Sequence, residues 1–119
     1  MLIVKYCSEG QAISDFEAEI WVKNIIQEYK EEKIDKTILI SNEISLDLFC
    51  LYTMQGLLEY NEIRIYYCNK LCRIDPYMGL CFVEEKEAIE SHFAYYTNEI
   101  LKIGYNNLKK LRRSPKEGI

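Results

Sequence analysis

Three short runs of β-forming residues, Leu2-Ile3-Val4-Lys5-Tyr6-Cys7, Thr37-Ile38-Leu39-Ile40 and Ile63-Arg64-Ile65-Tyr66-Tyr67-Cys68, are separated by two stretches long enough to hold a helix each. Strands that alternate with helices predict a mainly parallel sheet with right-handed crossovers. The expected fold class is therefore α/β, a small two-layer or three-layer sandwich. Thr37–Ile40, short and unbroken, reads as a strand covered on both faces.

The helical segments have their own signals. Ser14 and Glu17 stand at capping-box spacing, and Phe16, Ile20, Ile25, Ile26 and Tyr29 return at helical intervals before the solvated run Lys30-Glu31-Glu32-Lys33. Ser45 is a plausible cap for a second helix, whose residues from Leu46 to Leu58 are apolar nearly all round. Such a helix is buried, either in its own fold or against a partner. After the third strand, Asn69-Lys70 is expected to turn the chain into an antiparallel strand around Leu71–Ile74. Asp75-Pro76-Tyr77-Met78-Gly79 makes the next turn, and Leu80–Val83 is extended again. Ile89, Phe93, Tyr96, Ile100 and Ile103 draw one apolar stripe along a last helix, which Gly104 either ends or weakens. The domain reading is a single α/β domain over 1–104 and a basic helix end or tail over 105–119.

At 119 residues, with 49% hydrophobic and 29% charged residues, the chain has ordinary globular usage and can bury a core of its own. Five cysteines, an odd number, in such a chain fit reduced thiols. Neither a signal-peptide core nor a long apolar run is present, so a cytoplasmic protein without membrane contact is expected. The heavy use of Ile, Lys, Glu, Tyr and Asn fits an AT-rich prokaryotic or viral genome. The net charge of −4 is unevenly placed: residues 100–119 hold six basic groups and one acid, leaving nine and eighteen in residues 1–99. The body should repel nucleic acid, and the end of the chain could hold it through Lys109, Lys110, Arg112 and Arg113, with Tyr95, Tyr96 and Tyr105 nearby for stacking. Cations near a helix C-terminus also suit the helix dipole, which is the commoner reason for them.

Ligands of open α/β sheets bind beyond the carboxyl ends of parallel strands. Here those ends carry Cys7-Ser8-Glu9-Gly10-Gln11, Ser41-Asn42-Glu43 and Cys68-Asn69-Lys70. An anion at Ser8, Gly10 and Gln11, with Asn42, Asn69 and Lys70 around it, is the expected ligand site. Loops and caps are polar in any case, so this convergence is not specific. A glycine turn followed by a capped helix would place the Cys7 thiol near a helix N-terminus, where thiols are acidified and anions are held. Over these few residues Cys7-x-x-Gly10-x-x-x-Ser14 resembles the phosphate-cradling loops of low-molecular-weight tyrosine phosphatases and sugar-transport phosphocarrier domains. That resemblance implies phosphoryl transfer with Cys7 as nucleophile. Ile13 stands where the phosphatase loop has its arginine, and the phosphocarrier loop is richer in Ser and Thr.

Cys68, Cys72 and Cys81 could hold a metal only with Cys50, Cys7 or His92 as fourth ligand. Structural zinc usually shows two close pairs and only one exists, so no metal is expected. His92 is the only histidine. No nucleotide-binding glycine loop or nucleophile elbow is present, and no cofactor is expected. The sequence thus favours a non-catalytic interaction or regulatory module acting through a protein partner or as a homo-oligomer, with the apolar second helix and the tyrosine-rich last helix as its surfaces. Two alternatives stand beside it: an anion- or nucleotide-binding enzyme using Cys7, and nucleic-acid binding through the basic end.

Overall fold

A computed structural model describes residues 1–11, 13–84 and 94–117. In chain order the elements are β1 (Leu2–Gln11), α1 (Asp15–Glu32), β2 (Lys36–Ile40), α2 (Glu43–Met54), β3 (Ile63–Tyr67), β4 (Lys70–Asp75), β5 (Gly79–Phe82) and α3 (Ala94–Glu117), with one 3₁₀ turn, Tyr60–Glu62, before β3. The strands form one mixed sheet in the order β2-β1-β3-β4-β5. β1 pairs in parallel with β2 and β3, while β4 and β5 add an antiparallel meander. The expectation of a mainly parallel sheet is met only in part.

Register shows which residues share a face. Val4 stands between Ile38 and Ile65, and Tyr6 between Ile40 and Tyr67. Leu2, Val4, Ile40 and Ile65 are fully buried in one core with the helices, whereas Lys5, Thr37, Leu39, Arg64, Leu71 and Arg73, at alternate positions, are exposed. One sheet face is packed and the other open, which makes a two-layer sandwich. β2 is therefore not covered on both faces, since it is an edge strand with Thr37 and Leu39 turned outward. The buried sides of α1 and α2 belong to the same core, so both crossovers run over one face. Because β2 and β3 flank β1 on opposite sides, the two crossovers have opposite hands, and the uniform right-handedness expected from the sequence is not found.

β1 continues to Gln11 rather than ending at a turn. Its pairing with β2 breaks after Tyr6 and resumes at Gln11, whose carbonyl accepts the Ser41 N–H at 3.2 Å. A Cβ on Gly10 would overlap the Ile40 backbone, so only glycine fits where the strand returns. Between β3 and β4 the turn residues are Cys68 and Asn69, both at positive φ (49° and 70°), the conformation of a type I′ hairpin. The turn sits one residue earlier than Asn69-Lys70, because Lys70 pairs with Tyr67. The second turn forms as expected, with Asp75 Oδ1 accepting from the N–H groups of Tyr77 and Met78 at 2.8 and 3.0 Å.

Ser14 is the N-cap of α1, but its side chain makes no cap bond; its carbonyl accepts the Glu17 N–H instead. The helix ends at Lys33, which is in the left-handed region. Its buried face is Ala18, Val22, Ile25, Ile26 and Tyr29, leaving Phe16 98% and Ile20 67% exposed. α2 starts at Asn42 rather than Ser45, and every residue from Ile44 to Met54 is buried. It packs between α1 and α3. Each Leu or Phe hidden there stabilises the fold by about 1.5–3 kcal/mol relative to exposure. The apolar second helix is thus core, and residues 46–54 offer no partner surface.

α3 runs straight through Gly104, so the 104/105 boundary falls inside a helix. Gly104 is buried against the backbone of Tyr77, and Asn107 Nδ2 donates to the Pro76 carbonyl at 2.6 Å. Ile100 and Ile103 pack against the core, while Ile89, His92 and Phe93 lie outside the described residues.

Candidate functional site

The three parallel strand ends do meet at one edge. Besides the Ser41 bond to Gln11, the Cys68 N–H donates to the Tyr6 carbonyl at 3.0 Å, joining the end of β1 to the end of β3. The predicted ligand residues are spread along this edge. Ser8, Gln11 and Asn69 are exposed, and Gly10 is pressed against Ile40. Asn42 Nδ2 donates to the Ile13 carbonyl at 3.0 Å, while its buried Oδ1 has no partner among the described residues. What Asn42 has left over is an acceptor, which suits a donor rather than an anion. Lys70 Nζ lies over the Phe82 ring, 5.3 Å from its centroid.

Sequence reasoning missed what occupies the middle of this edge. Tyr6 stacks on Tyr67 at 4.8 Å, and Tyr67 meets Phe82 edge-on at 5.9 Å. The Tyr6 hydroxyl donates to Glu43 Oε1 at 3.4 Å. Burial, reinforced by the Glu43 carboxylate, pushes both phenols above their ordinary value of 10.0. The edge is an aromatic shelf with a carboxylate on it, a poor setting for a second negative charge. The register Tyr6↔Tyr67 makes the shelf, and no spacing within either strand reveals it.

Cys7 is half-buried and belongs to β1, eight positions before the first residue of α1. No helix start follows it directly, because the expected Gly10 turn is strand, and the dipole acts only within a helix's first turn. Cys72 and Cys81 stand at successive positions of the β4–β5 ladder, opposite Phe82 and Arg73. Cys50 is buried in α2, and burial pushes its thiol far up. Among the described residues no group of three or more His, Cys, Asp or Glu side chains gathers within metal-binding reach.

The last helix presents a different kind of surface. Leu101, Tyr105 and Leu108, spaced four and three apart, are 36–59% exposed on the flank of the helix next to its docked residues Ile100, Ile103 and Gly104. Lys109 Nζ lies 4.6 Å from the centroid of the Tyr105 ring, and Lys110 and Arg112 are exposed on the same helix, Lys110 on the side toward Pro76 and Tyr77. Arg113 lies on the same helix, which reaches Glu117, so the basic end is helical. Among the described residues no helix is long and apolar enough to cross a membrane.

No protein-family model matches the chain, and no curated protein or solved structure is similar enough to count as a match. The class stands on the fold alone: an α/β chain whose described residues form a five-stranded mixed sheet and three helices.

Proposed function

We propose that this chain is a small interaction or regulatory module, without catalysis of its own, that works through a protein partner or through copies of itself. One observation carries the reading. α3 is docked along Ile100, Ile103, Gly104 and Asn107, yet it turns a second apolar row, Leu101, Tyr105 and Leu108, to solvent. A helix that only covers its own core has no use for a second row, and contiguous exposed apolar surface rimmed by charge marks binding faces. Tyrosine with aliphatic neighbours is also the composition of interface centres.

Incorporating a photo-crosslinking residue at position 105 in the source cells tests this reading. Discrete protein adducts, lost in the Leu101→Asp, Leu108→Asp variant while its helical signal persists, are the expected result. The absence of protein adducts would overturn the reading. Adducts to nucleic acid alone would shift the role of this helix to Lys109, Lys110, Arg112 and Arg113.

A further inference from the structure

The module reading leaves the occupant of the α3 row open, and a second surface of the same chain fits it. On the first turns of α1, Phe16 and Ile20 stand one turn apart and are 98% and 67% exposed, the largest exposures among the apolar side chains described. The carboxylates of Asp15 and Glu17 flank them, both exposed. On α3, the Leu101, Tyr105 and Leu108 row is flanked by Lys109 and Arg112, also exposed. One patch is apolar with acidic flanks, and the other is apolar with basic flanks.

These patches do not cover each other within one chain. α2 lies between α1 and α3 and packs against both, and both patches remain exposed. Resting on the interaction reading above, we infer that the occupant is a second copy of this chain, whose acidic-flanked α1 patch seats on the basic-flanked α3 row. Phe16 is the anchor: its ring is almost wholly in water in the single chain and would be desolvated between Leu101, Tyr105 and Leu108. The opposite flanks fix register and disfavour the like-patch pairings α1–α1 and α3–α3, which would oppose like charges. The contact joins two different surfaces. It therefore yields a closed dimer when it forms twice about a two-fold axis, and a ring or an open chain of subunits when it does not.

The test is a mixing experiment on the full chain, read by sedimentation or mass photometry. The wild-type protein is expected at multiples of the 14.1 kDa chain mass, with association weakened by added salt. Phe16→Glu and Leu108→Glu are each expected to weaken association by roughly ten- to hundredfold, the worth of one buried large side chain. Phe16→Glu keeps the α3 row intact and Leu108→Glu keeps the α1 patch, so an equimolar mixture should re-form a one-to-one pair. Reversing flanks, with Asp15→Lys in one chain and Arg112→Glu in the other, should behave likewise and leaves the apolar residues untouched. A monomeric wild-type protein, assembly indifferent to Phe16 and Leu108, or failure of the two variants to recombine would each overturn the inference. Protein adducts at position 105 from a chain that is monomeric by itself would keep the interaction reading and sink only the self-association.

Discussion

Gly104 in the middle of α3 and the backbone of Tyr77 in the β4–β5 turn are in direct contact, so close that a Cβ on Gly104 would overlap the Tyr77 carbonyl. An exposed helix-interior glycine replaced by alanine normally gains about 1 kcal/mol. Here the sign should reverse. Gly104→Ala is expected to cost roughly 1–3 kcal/mol, the usual penalty of overpacking, in chemical denaturation. A stabilised Gly104→Ala protein would show that α3 is not seated on this turn.

The Cys68-Asn69 turn makes a second prediction. Cysteine at φ 49° occupies a position that glycine, asparagine and aspartate prefer. Cys68→Asn should raise stability by a few tenths to about 1 kcal/mol, and Cys68→Val, β-branched in the left-handed region, should lower it by roughly 1–2 kcal/mol. Urea midpoints of the two variants moving in the same direction would exclude the type I′ geometry.

The facing of α1 is tested by alanine. Ile26 is in the core, and Ile26→Ala should cost about 2–5 kcal/mol. Phe16→Ala should change the stability of the single chain by less than about 0.5 kcal/mol. Equal losses at both positions would mean that the helix is rotated from the orientation described.

The aromatic shelf predicts a pH dependence. Tyr6 and Tyr67 have folded-state values raised by burial, so the neutral phenol is the form the native state favours. Their contribution is fully present below the unfolded value of about 10 and is lost as pH rises through the raised folded values. Stability measured from pH 9 to beyond 11 should therefore fall more steeply for the wild-type chain than for a Tyr6→Phe, Tyr67→Phe variant. Phenolate absorbance should show late-ionising tyrosines that the variant lacks. Parallel slopes would remove the shelf from the buried edge.

Much of this architecture was legible in the chain. β-Branched runs, helical spacing and turn residues place every strand and the first two helices, because those preferences are local. What was not legible depends on which neighbour arrives. Phe16 and Ile20 share helical spacing with Ile25, Ile26 and Tyr29, but α1 lies on its Ala18–Val22 side, where the small alanine permits close approach. One-sided burial was partly written in Ile63-Arg64-Ile65 and Cys72-Arg73-Ile74, whose alternation signals a half-exposed sheet. The edge where the strand ends meet could be located by rule, but its content, Tyr6 on Tyr67 beside Glu43, is a product of register across 61 positions.

The central place of β1 has a kinetic consequence. Both of its partners come later in the chain, with Leu2 pairing Lys36 on one side and Ile63 on the other, whereas β3, β4 and β5 are joined by tight turns. Closing short loops is fast, and long-range parallel pairing is slow. One edge of β1 can be filled as soon as Lys36–Ile40 is available, but its other edge stays open until Ile63–Tyr67 reaches it. The meander rests on local contacts, whereas the pairing of β1 with β3 closes the longest stretch of chain in the sheet.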